Sequence, residues 1–594
     1  MRTPSPSFSL PAQSALLLFG ALLPVLGVLG GPSERLVGTE LGDVYKHAWS
    51  FWHTPHALGT WPWTEALNAP GGGRLWDVML LPSLVMVPVT SLVGPVFASN
   101  VWVVVSLLAI GWATRALAVE LGGDTPSATV AGFIAQGAPY LYGYPLYSGV
   151  HERLGIWLFP FLLVCGLKLR DGGKRRWALW GVLAFGFVAS GCGVYGIWAV
   201  LLLALSAPFL ARRDGVWANL GALLLLWVGV AVVSVVLLVA MKTASGASSL
   251  SPQPDRFGVL GIPWGMDFSS STVSSLLLPW KVHSTTPIDS GDALLELSYL
   301  GWVPLGICIA GLWKKHTRWI CGIAIGFAFL SLGPTIELGG STRVNPIYVA
   351  VSWVLPTFGS VPVPFQLVGV FAALASLGLL AISAASESRQ RAILSVLVVA
   401  SVGERALILP TGLVVETAPA TVSEVYNVVD QGTVVEIPRD YRDRALSPTR
   451  SFLAQAEHEQ GLPLSISTGV TRWDAFLPIR TGMSEVWDTD LRCLARGGFE
   501  WLVVDRELYR DPESASQALS GIETVLGSPE ASDRRWTVFS LRSLGERPSE
   551  KRFFSPFQPL VGMDNGGQGP PEADRGPDAP LGIHSGREAA RCPL

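Results

Sequence analysis

The feature that most constrains this chain is a series of long apolar runs in its first two-thirds. A helix that spans a bilayer needs about 20 mostly apolar residues, and helices satisfy their own backbone hydrogen bonds inside lipid. The runs predict about eleven transmembrane helices, near residues 11–31, 99–118, 126–144, 152–168, 177–193, 195–211, 217–242, 297–313, 318–333, 364–385 and 391–409. The first run is long for a signal peptide and lacks a typical cleavage site, so we interpret it as a retained span.

Composition supports a membrane protein and argues against other classes. The chain is 49% hydrophobic and only 15% charged, whereas soluble domains carry about 25% charged residues. A net charge of -3 offers no basic surface for nucleic acid, so DNA and RNA are not expected partners. The six cysteines are scattered without a CxxC pair, and we interpret them as small apolar side chains rather than zinc ligands.

The orientation follows from the short loops that carry Lys and Arg. They lie at residues 168–176, 212–213, 314–318 and 389–391. Because cytoplasmic loops carry the excess of positive charge, all four are assigned to the cytoplasm. The chain is then a multi-pass protein of the plasma (inner) membrane with a cytoplasmic N-terminus, and its long loops outside are 32–98, 243–296 and 334–363.

The apolar stretch 78–97 does not fit this orientation as a full span. It contains Pro82, Pro88 and Pro95, which disfavour a straight helix. We therefore predict a re-entrant or interfacial segment within the first outer loop. The alternative is that 126–144 fails to span instead.

Charged residues become frequent after about residue 410, which predicts the end of an all-α polytopic membrane domain at 1–409. Strand-like runs alternate with helix-like stretches beyond this point, a pattern typical of a small α/β domain. The strand-like runs are 433–437, 464–466, 501–505 and 536–541. We predict an extracytoplasmic α/β domain at 410–545. Residues 546–594 are rich in Gly, Pro and charge, which predicts a disordered tail.

The first outer loop places a carboxylate near the membrane surface. Tyr45, Trp49 and Trp52 follow Asp43 at roughly helical spacing, which predicts a short interfacial helix with its aromatic side chains toward lipid. Asp43 would stand at the N-terminus of this helix, where aspartate is a favoured capping residue. The alternative is a general base that takes a proton from a hydroxyl while the leaving group stays in lipid. One residue can serve both roles.

Cations in the other outer loops are candidates for contact with a lipid phosphate. They are Arg256, Lys281 and Arg343, and the alternative for each is a solvated surface position. Glu404 and Arg405 interrupt the last span. Charges within a span invite a functional interpretation, but we interpret these two as structural, paired near the outer end or in contact with the C-terminal domain.

Several motifs resemble those of the multi-spanning glycosyltransferases of the C-type fold (GT-C), which take sugars from polyprenyl-phosphate carriers. These motifs are Gly42-Asp43 and residues 68–73, 94–100, 296–301 and 361–366. The resemblance implies a GT-C-like fold over about residues 10–540 and an acidic residue in the second outer loop, for which Glu152 beside His151 is the candidate. In one departure, members of the family often place an arginine in the Pro-rich entry to the late span, and Val363 and Gln366 stand near that point here.

His151 and Glu152 have several open interpretations. At the outer end of adjacent spans they can bind a metal ion, assist the base or hold a hydroxyl; the alternative is a solvated interfacial turn formed with Arg153. A single His-Glu pair is a weak metal signal because a stable site needs more ligands. The residues identify no cofactor, and a divalent metal ion stays an open alternative.

Two functions from different classes follow. The first is an inverting transfer of sugar from a polyprenyl-phosphate donor to an acceptor hydroxyl at the outer face, with Asp43 as the base and a glycan, lipid or protein as the acceptor. No P-loop is present, and none is needed because the lipid phosphate leaves. The second is a non-catalytic membrane protein for transport, lipid handling or envelope assembly. The sequence has few charges in the middle of its spans and no clear internal repeat, and both observations disfavour transport.

Overall fold

The computed structural model describes residues 10–40, 42–60, 63–64, 66, 73–74, 79–211, 216–245, 271–279, 298–338, 341–354, 364–381, 387–408, 412–437, 453–456, 459–460, 488–509 and 511–544. Over these residues the chain is mostly helical. It divides into two compact units. The first contains the apolar helices together with residues 412–422 and 453–456, and the second contains residues 64, 66, 73 and 423–437 and the described residues from 459 onward.

The first half of the first unit is a succession of helices that follow the apolar runs. They are α1 (Leu10–Leu22), α2 (Val44–Ala57), α3 (Leu80–Val93), α4 (Pro95–Glu120), α5 (Thr125–Gln136), α6 (Pro139–Leu141), α7 (Leu158–Arg170), α8 (Arg176–Gly191), α9 (Gly193–Leu210) and α10 (Val216–Ser245). Segments of other helical pitch flank some of these helices: a 3-10 helix at Leu23–Val28, a π-helix at Tyr142–Tyr147 and a 3-10 helix at His151–Trp157.

The second half of this unit is also mainly helical, with shorter helices than the first half. Its helices are α11 (Val273–Leu277), α12 (Trp302–Leu312), α13 (Arg318–Leu330), α14 (Pro346–Val354), α15 (Val368–Leu374) and α16 (Glu387–Arg405). Two 3-10 helices, Pro364–Leu367 and Ala375–Ala381, extend α15 at both ends. The short strands among these helices are β1 (Arg35–Val37), β2 (Trp63–Thr64), β3 (Gly73–Arg74), β4 (Thr335–Leu338), β5 (Ser341–Val344) and β6 (Thr417–Pro419).

Four helical segments are long and apolar enough to cross a membrane, counted over the residues that the structure describes. They are Pro11–Val28, Pro95–Glu120, Gly193–Leu210 and Pro364–Ala381, and each overlaps a predicted span. The chain is a multi-pass membrane protein. The number of eleven spans and the orientation of the termini stay predictions.

The apolar stretch 78–97 is broken into α3 and the start of α4. The 14 residues of α3 rise about 21 Å, which is short of the roughly 30 Å of hydrocarbon. Gly94 follows with φ 87°, a left-handed conformation that glycine adopts at little cost, and Pro95 starts α4 at a position that tolerates proline. The re-entrant or interfacial placement of this segment stays a prediction.

The core of the first unit is one continuous apolar cluster in which Phe133, Phe159 and Phe371 are buried. A buried amide adds specificity to this packing. Gln136 donates its Nε2 hydrogens to the carbonyl oxygens of Leu17 at 3.1 Å and Leu107 at 2.9 Å. Because an unpaired amide in an apolar core is costly, these bonds fix α5 against α1 and α4.

Glu404 and Arg405 satisfy the ends of two different helices. The Glu404 carboxylate accepts hydrogen bonds from the Tyr299 hydroxyl at 2.6 Å and from the backbone amides of Trp302 and Val303, which open α12. Arg405 is fully buried and donates to the carbonyl oxygen of Phe133 at 2.8 Å, in the last turn of α5. A carboxylate at an N-terminus and a cation at a C-terminus both oppose the helix dipole, so the two charges are structural.

The second unit contains a four-stranded sheet with the order β7-β8-β10-β9. The strands are β7 (Val434–Ile437), β8 (Trp501–Asp505), β9 (Ala531–Ser532) and β10 (Trp536–Ser540). β7 runs parallel to β8, and the other pairs are antiparallel. Helices α17 (Asp488–Arg496) and α18 (Pro512–Leu526) contribute Leu491, Ala518 and Ile522 to its core. The predicted strand at 464–466 and the predicted tail at 546–594 lie outside the described residues.

The five cysteines that the structure describes divide into two kinds. Cys165, Cys192, Cys308 and Cys321 are free and buried, as expected for small apolar side chains. Cys493, in α17, is disulfide-bonded. The interpretation of every cysteine as a free apolar side chain is therefore wrong for Cys493.

Candidate active site

Asp43 is positioned by the crossing of two chain segments. Its backbone amide donates to the carbonyl oxygen of Ser148 at 3.0 Å. Gly42 permits this approach, because a Cβ at that position would lie 2.0 Å from the same oxygen. The first outer loop is thereby held against the turn that leads into His151 and Glu152.

A second glycine makes the crossing possible from the other side. Gly149 has φ 64°, and a Cβ there would lie 2.0 Å from Cγ1 of Val44. Val44 is the first residue of α2 and directly follows Asp43. The start of α2 therefore sits closer to the second loop than any larger residue at 149 would allow.

Helix α2 is also held by residues that come much later in the chain. The Tyr45 hydroxyl donates to the carbonyl oxygen of Pro419 at 2.9 Å, and Trp49 Nε1 donates to Gln455 Oε1 at 2.7 Å. Strand β1, just before α2, pairs antiparallel with β6. Tyr45 and Trp49 are fully buried, so the prediction that the aromatic side chains of this helix face lipid is wrong for these two.

Asp43 occupies the predicted N-cap position, yet its side chain makes no capping hydrogen bond. Its Oδ2 instead lies 3.6 Å from Nζ of Lys46, one turn further along. The Asp43 side chain is 32% exposed and that of Lys46 is 16% exposed. The carboxylate is therefore both anchored by its backbone and open to a bound molecule.

Glu152 lies in a more enclosed position beside Asp43 and Lys46. Its Oε2 is 2.7 Å from Nε2 of the fully buried His47, and its Oε1 is 3.6 Å from Nε of Arg153. Lys46 interacts electrostatically with both carboxylates. Burial alone lowers the pKa of Lys46, but the charges of Asp43 and Glu152 outweigh it and raise that pKa above its ordinary value, so Lys46 is protonated at neutral pH.

His151 is a buried, neutral partner of this cluster. Its Nε2 lies 3.0 Å from the carbonyl oxygen of Val37, so the Nε2 nitrogen carries the hydrogen. Its ring stacks on His47 with centroids 5.5 Å apart. Burial, together with His47, lowers the pKa of His151 to about 3. The alternative of a solvated turn at residues 151–153 is wrong, since all three side chains are largely buried.

Arg153 is held in place by residues at the junction of α8 and α9. Its Nη1 lies 2.7 Å from Sγ of Cys192, and its guanidinium lies 5.7 Å from the ring centre of Tyr195. The Tyr195 hydroxyl donates to the Arg153 carbonyl oxygen at 2.8 Å. These contacts hold a cation next to Glu152 in one orientation.

The late span also reaches this cluster. Gln366 donates from Nε2 to the hydroxyl of Tyr144 at 2.8 Å, in a buried contact, and Tyr144 interacts electrostatically with Arg153, Glu152 and Asp43. Gln366 is one of the two residues near the point where the resemblance to the C-type glycosyltransferases implies an arginine. The other, Val363, lies outside the described residues.

The structure brings together three of the predicted site residues, Asp43, His151 and Glu152. Arg343 lies on β5 opposite Ile336 with an exposed side chain, and it forms no ion pair with any residue that the structure describes. Arg256 and Lys281 lie outside the described residues.

Three residues of the cluster were missed by the sequence reasoning: Lys46, His47 and Arg153. A signal was available for the first two. They follow Asp43 by three and four positions on a predicted helix, which places them on the next turn of the same face. Nothing local to Arg153 distinguishes it from a surface cation.

The cluster contains two carboxylates, Asp43 and Glu152, whose different surroundings suit them to different roles. The partly exposed Asp43 can accept a proton from a bound hydroxyl, whereas Glu152 is enclosed by His47 and Arg153. Lys46 and Arg153 can bind an anionic oxygen. Over the described residues, no group of three or more His, Cys, Asp and Glu side chains is arranged to hold a metal ion.

Comparison with known proteins was made by sequence and by structure. No protein-family model matches the sequence, and no curated protein matches it. Among solved structures, the arabinofuranosyltransferase AftD from Mycobacteria is similar over 91% of this chain, with a TM-score of 0.54 and 16% identity. The match covers 40% of AftD, so the chain spans about two-fifths of the length of that protein.

Two further solved structures are similar to this chain with lower TM-scores. ArnT from Cupriavidus metallidurans, bound to undecaprenyl phosphate, has a TM-score of 0.41 and 16% identity, covering 90% of this chain and 98% of ArnT. The archaeal oligosaccharyltransferase AglB from Archaeoglobus fulgidus, in complex with dolichol-phosphate, has a TM-score of 0.45 and 10% identity, covering 84% of this chain and 69% of AglB.

These proteins are polytopic membrane glycosyltransferases of the GT-C type. The likeness to AftD shows that this chain has a GT-C-like fold. The fold implied by the sequence motifs is therefore confirmed. At such low identity the likeness concerns the fold alone, and the activity has to be argued from the residues.

Proposed function

We propose that this chain is a membrane glycosyltransferase that moves a sugar from a polyprenyl-phosphate donor to an acceptor hydroxyl at the outer face of the membrane. The observation that carries the proposal is the setting of Asp43 within a GT-C-like fold. Its carboxylate is partly exposed and makes no capping bond, and it lies beside Lys46 in the loop crossing that also holds Glu152. AglB and ArnT, which share this type of fold, were solved with dolichol-phosphate and undecaprenyl phosphate.

In the proposed reaction, Asp43 accepts the proton of the acceptor hydroxyl as that oxygen bonds to the anomeric carbon. The bond between the anomeric carbon and the phosphate oxygen breaks, and the polyprenyl phosphate leaves with the electron pair. Attack opposite the leaving group inverts the anomeric configuration. Lys46 and Arg153 supply positive charge that balances the charge growing on the phosphate. Arg256, Lys281 and Arg343 stay proposals for contact with the same phosphate.

In the proposed topology, eleven spans connect a cytoplasmic N-terminus to the second unit outside. The cluster around Asp43 also lies outside the cytoplasm. The four basic loops support this orientation. The disulfide at Cys493 supports it independently, because disulfides persist in oxidising compartments. An alkaline phosphatase reporter fused within residues 423–437 should be active if the second unit lies outside, and inactive if it lies in the cytoplasm.

The activity is tested with the full chain purified in detergent. Radiolabelled polyprenyl-phosphate sugars, beginning with an arabinofuranosyl donor because of AftD, are incubated with membrane extract as the source of acceptor. Asp43→Asn should lower transfer by a factor of about 10² to 10⁴, the usual contribution of general base catalysis. Glu34→Gln, an exposed carboxylate earlier in the same loop, is the matched control and should transfer normally.

Two results would count against the proposal. Undiminished transfer by Asp43→Asn would show that Asp43 is not the base, although the chain would still be a glycosyltransferase. Binding of polyprenyl phosphate without transfer from any donor would favour the non-catalytic alternative, in lipid handling or envelope assembly.

A further inference from the structure

The segment formed by β5 and α14 exposes apolar side chains on one face. Val344, Ile347 and Trp353 are 52%, 51% and 67% exposed, and Ala350 is also exposed. Ile347, Ala350 and Trp353 recur every three residues, which places them along one side of the helix. The other side is buried, with Tyr348 at 1% and Val349 at 6% exposure. Both faces of this short helix are therefore apolar, whereas a helix that faces water carries polar residues on its exposed face.

Hydrogen bonds of a buried asparagine hold the exposed face in its orientation. The side chain of Asn345, between β5 and α14, donates to the carbonyl oxygens of Gly333 at 2.9 Å and Phe329 at 3.3 Å, and its Oδ1 accepts from the amide of Tyr348 at 3.3 Å. Asn345 is 1% exposed. Helix α14 is thus bound to the end of α13 through a buried amide and cannot turn its apolar face inward without losing these bonds.

A neighbouring helix also exposes an apolar side chain next to this segment. Phe329, in the last turn of the apolar helix α13, is 49% exposed, and its carbonyl oxygen is one of the groups that hold Asn345. The chain then returns to the segment Pro364–Ala381, which is long and apolar enough to span a membrane. Both flanks therefore keep α14 within reach of a bilayer surface.

We propose that residues 341–354 form an interfacial anchor whose partner is the lipid bilayer. Ile347, Ala350 and Trp353 enter the boundary between head groups and acyl chains, where tryptophan is enriched. Arg343, exposed on β5 and unpaired within the described chain, lies among the phosphates of the head groups. This assignment does not depend on the proposed catalytic function, and it gives Arg343 a partner other than the sugar donor.

The test measures the depth of single positions in lipid. Ile347→Cys in the full chain is labelled with an environment-sensitive NBD fluorophore and reconstituted into vesicles of phosphatidylcholine and phosphatidylglycerol, with or without lipid that carries a doxyl quencher near the head group. The free cysteines in the described residues are buried, and the unsubstituted chain gives the background labelling. Glu513→Cys, at an exposed position at the start of α18, is the control. Ala350→Cys serves as a second site if Ile347→Cys does not fold.

The anchor predicts blue-shifted emission at position 347 and quenching by doxyl lipid at least about twofold stronger than at position 513, as for a side chain within the interface. Unshifted emission without quenching would show that the face lies in water and would overturn the proposal. Blue-shifted emission without quenching would also overturn it, because protein, either this chain or a second copy, would then cover the face.

Discussion

His47 and Glu152 form a buried pair in which Nε2 of the histidine lies 2.7 Å from Oε2 of the carboxylate. His47 is fully buried and the Glu152 side chain is 9% exposed. The pair joins α2, which begins next to Asp43, to the turn that enters α7. The same contact therefore orients the enclosed carboxylate and ties it to the helix that begins beside the candidate base.

Replacing His47 should reveal this coupling. His47→Phe removes the partner that lies 2.7 Å from Oε2 of the buried Glu152, and leaving a buried hydrogen-bonding group unsatisfied costs about 1–3 kcal/mol. Thermal unfolding in detergent should show a large loss of stability for His47→Phe and a smaller loss for the double variant with Glu152→Leu than the sum of the two single losses. Strictly additive losses would mean that the two side chains do not interact.

The loop crossing should be intolerant of a single methyl group. Gly149→Ala places a Cβ 2.0 Å from Cγ1 of Val44 and puts alanine in an unfavourable left-handed conformation, which costs of order 1–3 kcal/mol. We expect a lower melting temperature and, if the proposed function holds, reduced transfer because Asp43 moves with Val44. Gly59→Ala, with nothing within 4 Å, is the control. Equal melting temperatures of the two variants would contradict the conclusion that the loop crossing requires glycine at position 149.

Arg405 should matter for stability more than an exposed arginine of the same helix. Arg405→Leu removes one of two hydrogen bonds to the Phe133 carbonyl oxygen, the other coming from the amide of Gly137 at 3.2 Å, and a hydrogen bond from a charged group contributes about 1.5–3 kcal/mol. Arg389→Leu, at an exposed position near the start of α16, should change stability by no more than about 0.5 kcal/mol. Unfolding measured by intrinsic fluorescence compares them, and similar values would refute a structural role for Arg405.

Acid should destabilise the protein through His151. Its pKa is about 3 in the folded chain and near 6.5 when unfolded, so between these values only the unfolded state binds the proton. Its stabilising contribution is complete above about pH 6.5 and falls as the pH drops toward 3, by up to about 1.4 kcal/mol per pH unit. Melting temperatures at pH 7.5 and 5.0 should differ less for His151→Gln than for wild type. His56→Gln, an exposed histidine, should keep the wild-type difference; an unchanged difference in His151→Gln would rule out this linkage.

The sequence was sufficient for the features that local pattern encodes. Apolar runs predicted the helices of the first unit, and the spacing after Asp43 predicted α2. The burial of Tyr45 and of His151 could not be predicted in this way, because each depends on a segment far away in the chain. Tyr45 is covered by residues near Pro419, and His151 by the backbone of Val37. Periodicity describes one helix at a time and contains no information about which segment will lie across it.

The same limit applies within the site. Asp43 and Glu152 were both identified, but the role of Gly42 and Gly149 in bringing them together depends on a close approach of backbones that no motif states. His47 was overlooked although it follows Asp43 by four positions on a predicted helix, because nothing in the sequence states that Glu152 lies opposite it.

The contacts of α2 with late residues have a consequence for biogenesis. Tyr45 and Trp49 bind partners 374 and 406 positions downstream. At about 5–20 residues per second, a ribosome needs roughly 20–80 s to reach the partner of Trp49 after making Trp49 itself. The surroundings of Asp43 are therefore completed only after the last apolar helix has been synthesised. A nascent chain arrested before residue 455 would carry every titratable group of the candidate site and still hold it in an unfinished form.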